Sequence, residues 1–479
     1  MSEQPTPRSR SRQLLILAIC CLSLLIVGLD TTIVNVALPA IRRDLHSSIP
    51  GLQWTVDAYT LVLASLLMVS GSTADRIGRR RVFQAGLLIF SIGSLLCGLA
   101  QSLPMLVAFR VLQAIGGSML NPVAMSIIRN VFQNPRERAQ AIGIWGAVFG
   151  LSMALGPVLG GVLVDSVSWR AVFWVNVPIG AVAIALAAAF VPESRAERPR
   201  RLDPVGQVFV IVALATLTYA IIEGPRNGWS SPVTVALFAT AALSFAGLIA
   251  YELRHREPLI ELRFFRSAPF AGATALALLV FAATGGFLFL NTLYLQDVRH
   301  LSPLHAGLYI LPIAGMAMVF APLSGRLVGR VGGRPSLLIG ALAVTASGVM
   351  LTSLSASTPE GYLIASYVVF GLGMGLINPP ITDTAVAGMP PAQAGVAAAV
   401  ASTCRQVGFT LGVAVLGALA GGALSGALGP AFATATHPAW VIVAVIGVLM
   451  FAIAALTTTR WARATAARTA RALGEPTPA

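Results

Sequence analysis

Apolar residues in this chain gather into fourteen runs of 18 or more, and polar residues collect in the short gaps between them. The runs lie at about 14–38, 53–73, 83–100, 104–128, 138–164, 170–191, 204–223, 233–252, 269–296, 304–328, 336–354, 361–385, 394–420 and 438–459. Roughly 20 apolar residues in a helix cross the hydrocarbon core of a bilayer, and a lone segment in lipid satisfies its backbone only as a helix. The pattern predicts an all-α integral membrane protein with 14 transmembrane helices. The first run follows Arg8, Arg10 and Arg12 but continues to about Leu38 with no small-residue cleavage site. It reads as a first helix and not as a signal peptide.

The gaps carry the charge. All 32 cationic residues are arginine. Of these, 25 fall in alternate gaps beginning with the N-terminal tail, while the opposite gaps hold only Arg42, Arg43, Arg170, Arg226 and Arg299. Arg110 and Arg405 lie inside runs. Arginine excess marks the cytoplasmic side, so both termini are expected in the cytoplasm of a bacterial plasma membrane. The net charge of +14 is then a topology signal, and no nucleic-acid partner is expected. Hydrophobic residues make up 56% of the chain and charged ones 10%, too little polar surface for a soluble globular protein. Cys20, Cys21, Cys97 and Cys404 sit inside runs without metal-ligand spacing, and the five histidines fall at loops or run ends. No metal site, hydrolytic triad or phosphate loop is present in the sequence, so neither an enzyme nor a cofactor is expected.

The densest gap is Gly71–Phe83, GSTADRIGRRRVF. Gly71 and Gly78 permit a tight reversal and close helix approach, and Asp75 and Arg79 stand four apart, a spacing that pairs them on a helical turn. On charge alone the loop is as readily a simple topology determinant. Gly325–Pro335, GRLVGRVGGRP, lies on Gly71–Arg81 with a displacement of 254, and Asp75 falls on Gly329. Ala108–Pro122 lies on Ala365–Pro379 with a displacement of 257, both ending in Asn-Pro. Near-equal displacements predict two related six-helix bundles with runs 7 and 8 inserted between them. The expected divisions are a tail (1–13), a first bundle (14–191), a linker with two extra helices (192–268), a second bundle (269–459) and a C-terminal tail (460–479). Parallel repeats about a central site mark one class of secondary transporter.

Several stretches resemble the major facilitator superfamily, and the fourteen spans resemble its drug:proton antiporter branch. GSTADRIGRRRVF is similar to the superfamily's loop 2–3 signature, with Thr73 in place of an apolar residue. Leu29–Pro39, LDTTIVNVALP, which contains Asp30 and Asn35, resembles the helix 1 signature of the fourteen-span branch. Arg110–Gly117, RVLQAIGG, which contains Gln113, resembles the helix 4 motif, with Ala114 where glycine is commoner. Gly150–Leu163, GLSMALGPVLGGVL, is similar to the helix 5 exporter motif, and Trp169–Gly180 and Thr403–Gly408 resemble branch-specific stretches.

Asp30, near the middle of run 1, and Arg110, early in run 4, are the charges read as buried deep in the first bundle. A charge at the bilayer centre costs roughly 2.5–3.5 kcal/mol on insertion scales, so it should face a cavity or a partner. Arginine keeps its proton, so any titration falls to Asp30. Burial favours its neutral form and a nearby guanidinium its charged one. The residues alone leave open a fixed structural pair; the resemblance implies proton coupling.

In run 5, Gly150, Gly156, Gly160 and Gly161 predict a tightly packed seam, and Pro157 is expected to kink it. Asp57, placed near the outer end of run 2, is either at the headgroups or, as the resemblance implies, at an outer vestibule. Arg405 is expected to snorkel, bond loop carbonyls or meet an anionic substrate. Phe287, Asn35 and Gln113 join Asp57 and Arg405 as candidate vestibule or substrate residues. Asp75, with Gly71, Arg79 and Arg129, is the candidate conformational latch, reaching the N-terminus of helix 11.

The reading is a proton-coupled exporter of amphiphilic drugs or antibiotics, a monomer in the lipid bilayer driven by protons. A dedicated exporter of one natural product and a non-transporting membrane sensor are the alternatives.

Overall fold

The computed structural model describes residues 10–196, 202–255, 257–387, 393–422 and 429–474. Its helices are α1 (Arg10–Asp44), α2 (Ile49–Ile77), α3 (Arg79–Gly98), α4 (Leu103–Val131), α5 (Pro135–Ser166), α6 (Ala171–Trp174), α7 (Asn176–Phe190), α8 (Pro204–Asn227) and α9 (Pro232–Glu252). The second half holds α10 (Ala268–Leu293), α11 (Pro303–Val331), α12 (Arg334–Leu351), α13 (Glu360–Val386), α14 (Ala394–Gly422), α15 (Pro430–Ala435), α16 (His437–Thr457) and α17 (Arg460–Gly474). Fourteen helical stretches among the described residues are long and apolar enough to span a membrane; the sixth joins α6 to α7, and the fourteenth α15 to α16.

Short polar signals start these helices. Ser48, Ser231, Ser267 and Ser302 each accept a backbone N–H from the first turn, and a proline stands one or two residues on. A serine cap and an early proline satisfy amide donors that would otherwise go unpaired. Between α2 and α3 the backbone turns at Gly78, whose φ of 129° suits glycine alone.

The two bundles repeat one packing scheme. In the first, α1 packs on α5, α2 on α4, and α3 on α4 and α7; in the second, α10 packs on α14, α11 on α13, and α12 on α13 and α16. They meet through two symmetric seams, α5 with α11 and α2 with α14. The inserted α8 lies against α2 and α14, and α9 packs chiefly on α8.

The seams are closed at the end away from the arginine-rich gaps. There Arg42 of α1 meets Asp297 at 3.5 Å, and Gln296 donates to the Val36 carbonyl at 2.9 Å. Both partners sit on the π-helical turn Tyr294–Val298 that ends α10. A Cβ on Gly161 would meet Leu304 Cα at 2.5 Å, and one on Gly307 would strike the Pro157 carbonyl. Toward the arginine-rich face α5 and α11 part: a Cβ on Gly150 would reach Met318 only at 3.9 Å, and Gly143, Gly146, Gly325 and Gly329 border open space. On the arginine-rich side α5 and α11 therefore separate, while Arg129 of α4 and Met68 of α2 still reach α14.

The C-terminal tail expected at 460–479 is α17 over residues 460–474, a two-faced helix. Ala462, Thr465, Thr469 and Leu473 are buried, and the Thr465 hydroxyl accepts the Ala268 N–H at the start of α10. Arg460, Arg463, Arg468 and Arg471 occupy the exposed face.

Candidate functional site

Five elements of the first bundle converge on Asp30. Its Oδ2 accepts from Arg110 Nη1 at 2.5 Å, and its Oδ1 accepts from Gln113 Nε2 at 2.8 Å and Asn176 Nδ2 at 3.2 Å. Arg110 and Gln113 are one turn apart on α4, so they clasp the carboxylate from one side. Asn176, the first residue of α7, reaches it from the other, held by Ser94 Oγ of α3 at 3.1 Å. Both Asp30 and Arg110 are essentially inaccessible.

Arg110 has further acceptors. Its Nε donates to the Thr55 carbonyl at 3.0 Å, its Nη1 to Gln113 Oε1 at 2.7 Å, and its guanidinium lies 4.1 Å from the centre of the Tyr59 ring. Besides Asp30, the cation holds a carbonyl, an amide oxygen and an aromatic face. The network thus joins one carboxylate to a guanidinium that has acceptors of its own. The sequence reading found Asp30, Arg110 and Gln113. It missed Asn176, the one side-chain amide in run 6, because proximity across 146 residues of chain is a property of the packing.

Other candidates lie elsewhere. Asp57 is not at an outer helix end: it is wholly buried in the seam where α2 faces α14 and α8, so Asp30 is not alone as a deep acid. Glu223, near the end of α8, accepts from the Trp54 indole at 3.2 Å. Phe287 lies on no cavity wall; it stacks on Phe370 at 4.2 Å within an aromatic core completed by Tyr367 and Trp440. Asn35 is buried in α1 and donates to its own helix at the Thr31 carbonyl. Arg405 donates to the Thr382 hydroxyl of α13 at 2.6 Å.

The seam glycines divide their work. A Cβ on Gly156 would strike Thr32, and one on Gly160 would meet Ile33 at 2.8 Å, so these two let α1 approach α5 within the bundle. Gly161 and Pro157 contact α11 of the other bundle.

In the loop, Asp75 Oδ1 accepts from Arg79 at 3.0 Å through Nε and 2.8 Å through Nη2, the pairing its spacing predicts. Arg129 does not join them; it extends to Gly395 at the start of α14. Nor is Gly71 tightly packed here, since a Cβ there would sit 3.6 Å from Pro122. The segment after α7 holds the loop instead: Glu193 accepts the Arg80 N–H at 3.1 Å, and Ser194 accepts the Arg79 N–H at 2.9 Å.

Two mirrored bundles of six spans, a buried acid–arginine network in the first and an acid–arginine loop between spans 2 and 3 narrow the field. The family model that matches residues 20–413 is that of the Major Facilitator Superfamily. The chain belongs to this superfamily.

Among curated members, it is 39% identical over 418 residues to the multidrug resistance protein Stp of Mycobacterium tuberculosis, covering 87% of this chain and 78% of that protein. It is 38% identical over 421 residues to the tetracenomycin C resistance and export protein of Streptomyces glaucescens, covering 88% and 78%. The drug efflux pump JefA of M. tuberculosis is 35% identical over 424 residues, covering 88% and 82%. In fold, the chain matches the crystal structure of a bacterial homolog of the human lysosomal transporter Spinster, with a TM-score of 0.66 at 20% identity, covering 98% of this chain and all of that one. This superfamily member is therefore a multi-pass bacterial membrane protein related to drug and antibiotic efflux proteins.

Proposed function

We propose that this protein exports amphiphilic drugs or antibiotics in exchange for protons, by alternating access of the two bundles. One observation carries the reading: a single carboxylate, Asp30, sits fully buried in a network that accommodates it charged or neutral. The arginine-rich side is the cytoplasm, so the cleft between α5 and α11 opens inward. Asp30 accepts from three donors on its two oxygens in this arrangement. Protonation frees Arg110 toward Gln113 and the Thr55 carbonyl and loosens the hold of α4 on α1. Because α1 rides on Gly156 and Gly160 of α5, and α5 meets α11 at Pro157 and Gly161, that release bears on a seam between the bundles. Each inward-moving charge supplies about 2.3 kcal/mol per 100 mV of membrane potential. The relatives named for several drugs and for one antibiotic favour broad and dedicated export in turn.

Inside-out vesicles with an imposed pH gradient test this with a panel of chemically unrelated fluorescent amphiphiles. Uptake of several, abolished by a proton ionophore, is expected. Uptake of one alone would mean a dedicated exporter, and uptake of none would favour a non-transporting sensor.

A further inference from the structure

Asp57 is a buried acid within the span of its helix that the network above does not use; Asp203 and Glu252, also buried, lie at the arginine-rich ends of α8 and α9. On α2 it lies two turns from the end away from the arginine-rich face. At 100° per residue it falls between two stripes. Gln53, Thr60 and Ala64 face α14: Gln53 donates to the Val413 and Ala414 carbonyls at 3.0 and 2.8 Å, and Thr410 donates to the Thr60 hydroxyl at 2.7 Å. Trp54, Leu61 and Ser65 face α8: Trp54 bonds Glu223, and Gln207 donates to the Ser65 carbonyl at 2.7 Å. Asp57 therefore occupies the junction of the first bundle, the second bundle and the inserted helix. It has no accessible surface, and neither carboxylate oxygen makes a well-formed hydrogen bond among the described residues; the neutral Thr60 hydroxyl, one turn along α2, approaches it.

No cation faces it. The α14 segment from Val407 to Gly421 has no titratable group, and Cys404 and Arg405 lie nearer the arginine-rich end, Arg405 on Thr382. From α8 come Tyr219 and Glu223, both against Trp54. Arg110 of α4 approaches α2 at Thr55 and Tyr59, the opposite side, where it is engaged with Asp30 of α1; Cys97 of α3 faces Gln113. Without α8, Asp57 would border lipid. An ionised carboxylate with no partner is far costlier to bury than the neutral acid, so this closed junction accepts Asp57 only in its protonated form.

We propose that Asp57 is a second proton-binding site, built by α2, α14 and the inserted α8, at which a proton from the outer side permits the outer seam to close. Opening that seam hydrates Asp57 and returns its proton outward; closing it requires a proton again. The proton is bound and given back on the same side, unlike the one exchanged by Asp30. The inserted helix thereby has a task, sealing the site from lipid. The sidedness rests on the efflux reading above; the closure itself does not.

Spin labels on His46→Cys and Ser357→Cys, exposed on the outer end of each bundle, would report the seam on a cysteine-free background. Asp30→Asn is included so that the proton exchanged there does not contribute. From pH 5 to pH 9 a longer-distance population is expected to grow. Adding Asp57→Asn should reduce that population at pH 9 at least ten-fold, and Asp57→Leu should do the same, separating lost charge from an amide artefact. Asp57→Glu should keep the pH response with a displaced midpoint. In vesicles, Asp57→Asn should slow turnover while leaving the proton:substrate ratio unchanged. A full pH response in the Asp57→Asn protein, or a fallen proton:substrate ratio, would overturn the proposal. If Asp30→Asn alone exports as wild type does, the efflux reading fails while the distance result stands on its own.

Discussion

The same displacement of 257 residues that aligns α4 with α13 carries Asp30 onto Phe287, Arg110 onto Tyr367 and Gln113 onto Phe370. In the first bundle these three positions form a charged network; in the second they form an aromatic stack, with Phe287 edge-on to Tyr367 at 5.3 Å and flat on Phe370 at 4.2 Å. The sixth span of each bundle completes the arrangement, with Asn176 in one and Trp440 in the other. One backbone scheme thus hosts a site whose charge can change and a core whose packing cannot. Rings 4–6 Å apart pack as a rigid apolar unit, whereas a buried ion pair holds only while both partners are charged. The loops repeat the difference, with Asp75 in one half and Gly329 in the other. In the proposed mechanism, the first bundle responds to protons and the second serves as the wall it moves against.

Breaking the charged side should have the largest effect. Arg110→Ala leaves Asp30 buried without its cation, which costs about 3–5 kcal/mol. Coupled efflux should fall to background, and proton release by the folded fraction should move to higher pH, since losing the cation disfavours the carboxylate. An unmoved profile would show that the pair does not set the charge state. Breaking the aromatic side should look different. Phe287→Ala opens a cavity and costs about 3–5 kcal/mol of stability, read as a lower melting temperature, yet the pH profile of export by the surviving protein should not move. A moved profile would mean that the second bundle shares the proton chemistry. The smallest effect is expected in the loop. Asp75→Asn should slow turnover a few-fold and raise the reactivity of cysteines placed in the inner vestibule, with substrate affinity unchanged, because Asp75 is proposed to bridge to the start of α12 only when the cytoplasmic side is closed. Equal reactivity would leave the loop a topology determinant alone.

Much of this comparison was legible in the sequence. Fourteen apolar runs, the arginine bias and the two displacements are readable because crossing a bilayer imposes length and hydropathy on each segment independently. Asp30 and Arg110 stood out because a charge in such a segment demands a partner. What hydropathy leaves out is the azimuth of each side chain about its helix. A position near a run's end suggests the headgroups or an outer vestibule for Asp57, but α8 and α14 pack against α2 there. Phe287 was offered as a cavity wall because an apolar site and an apolar core draw on the same residues. Arg129 was assigned to Asp75 by depth alone and points across to α14. The helix α17 was legible and was missed: Ala462, Thr465, Thr469 and Leu473 recur at three- and four-residue steps between the arginines.

The central claim is that Asp30 alone exchanges the coupling proton. Purified protein in weakly buffered solution, pulsed with an amphiphilic substrate, tests it most directly. At a pH low enough to keep the outer seam closed and Asp57 protonated, wild type should release about one proton per molecule, as a single carboxylate allows, and Asp30→Asn should bind the same compound and release none. Proton release from Asp30→Asn equal to that of wild type would contradict the account.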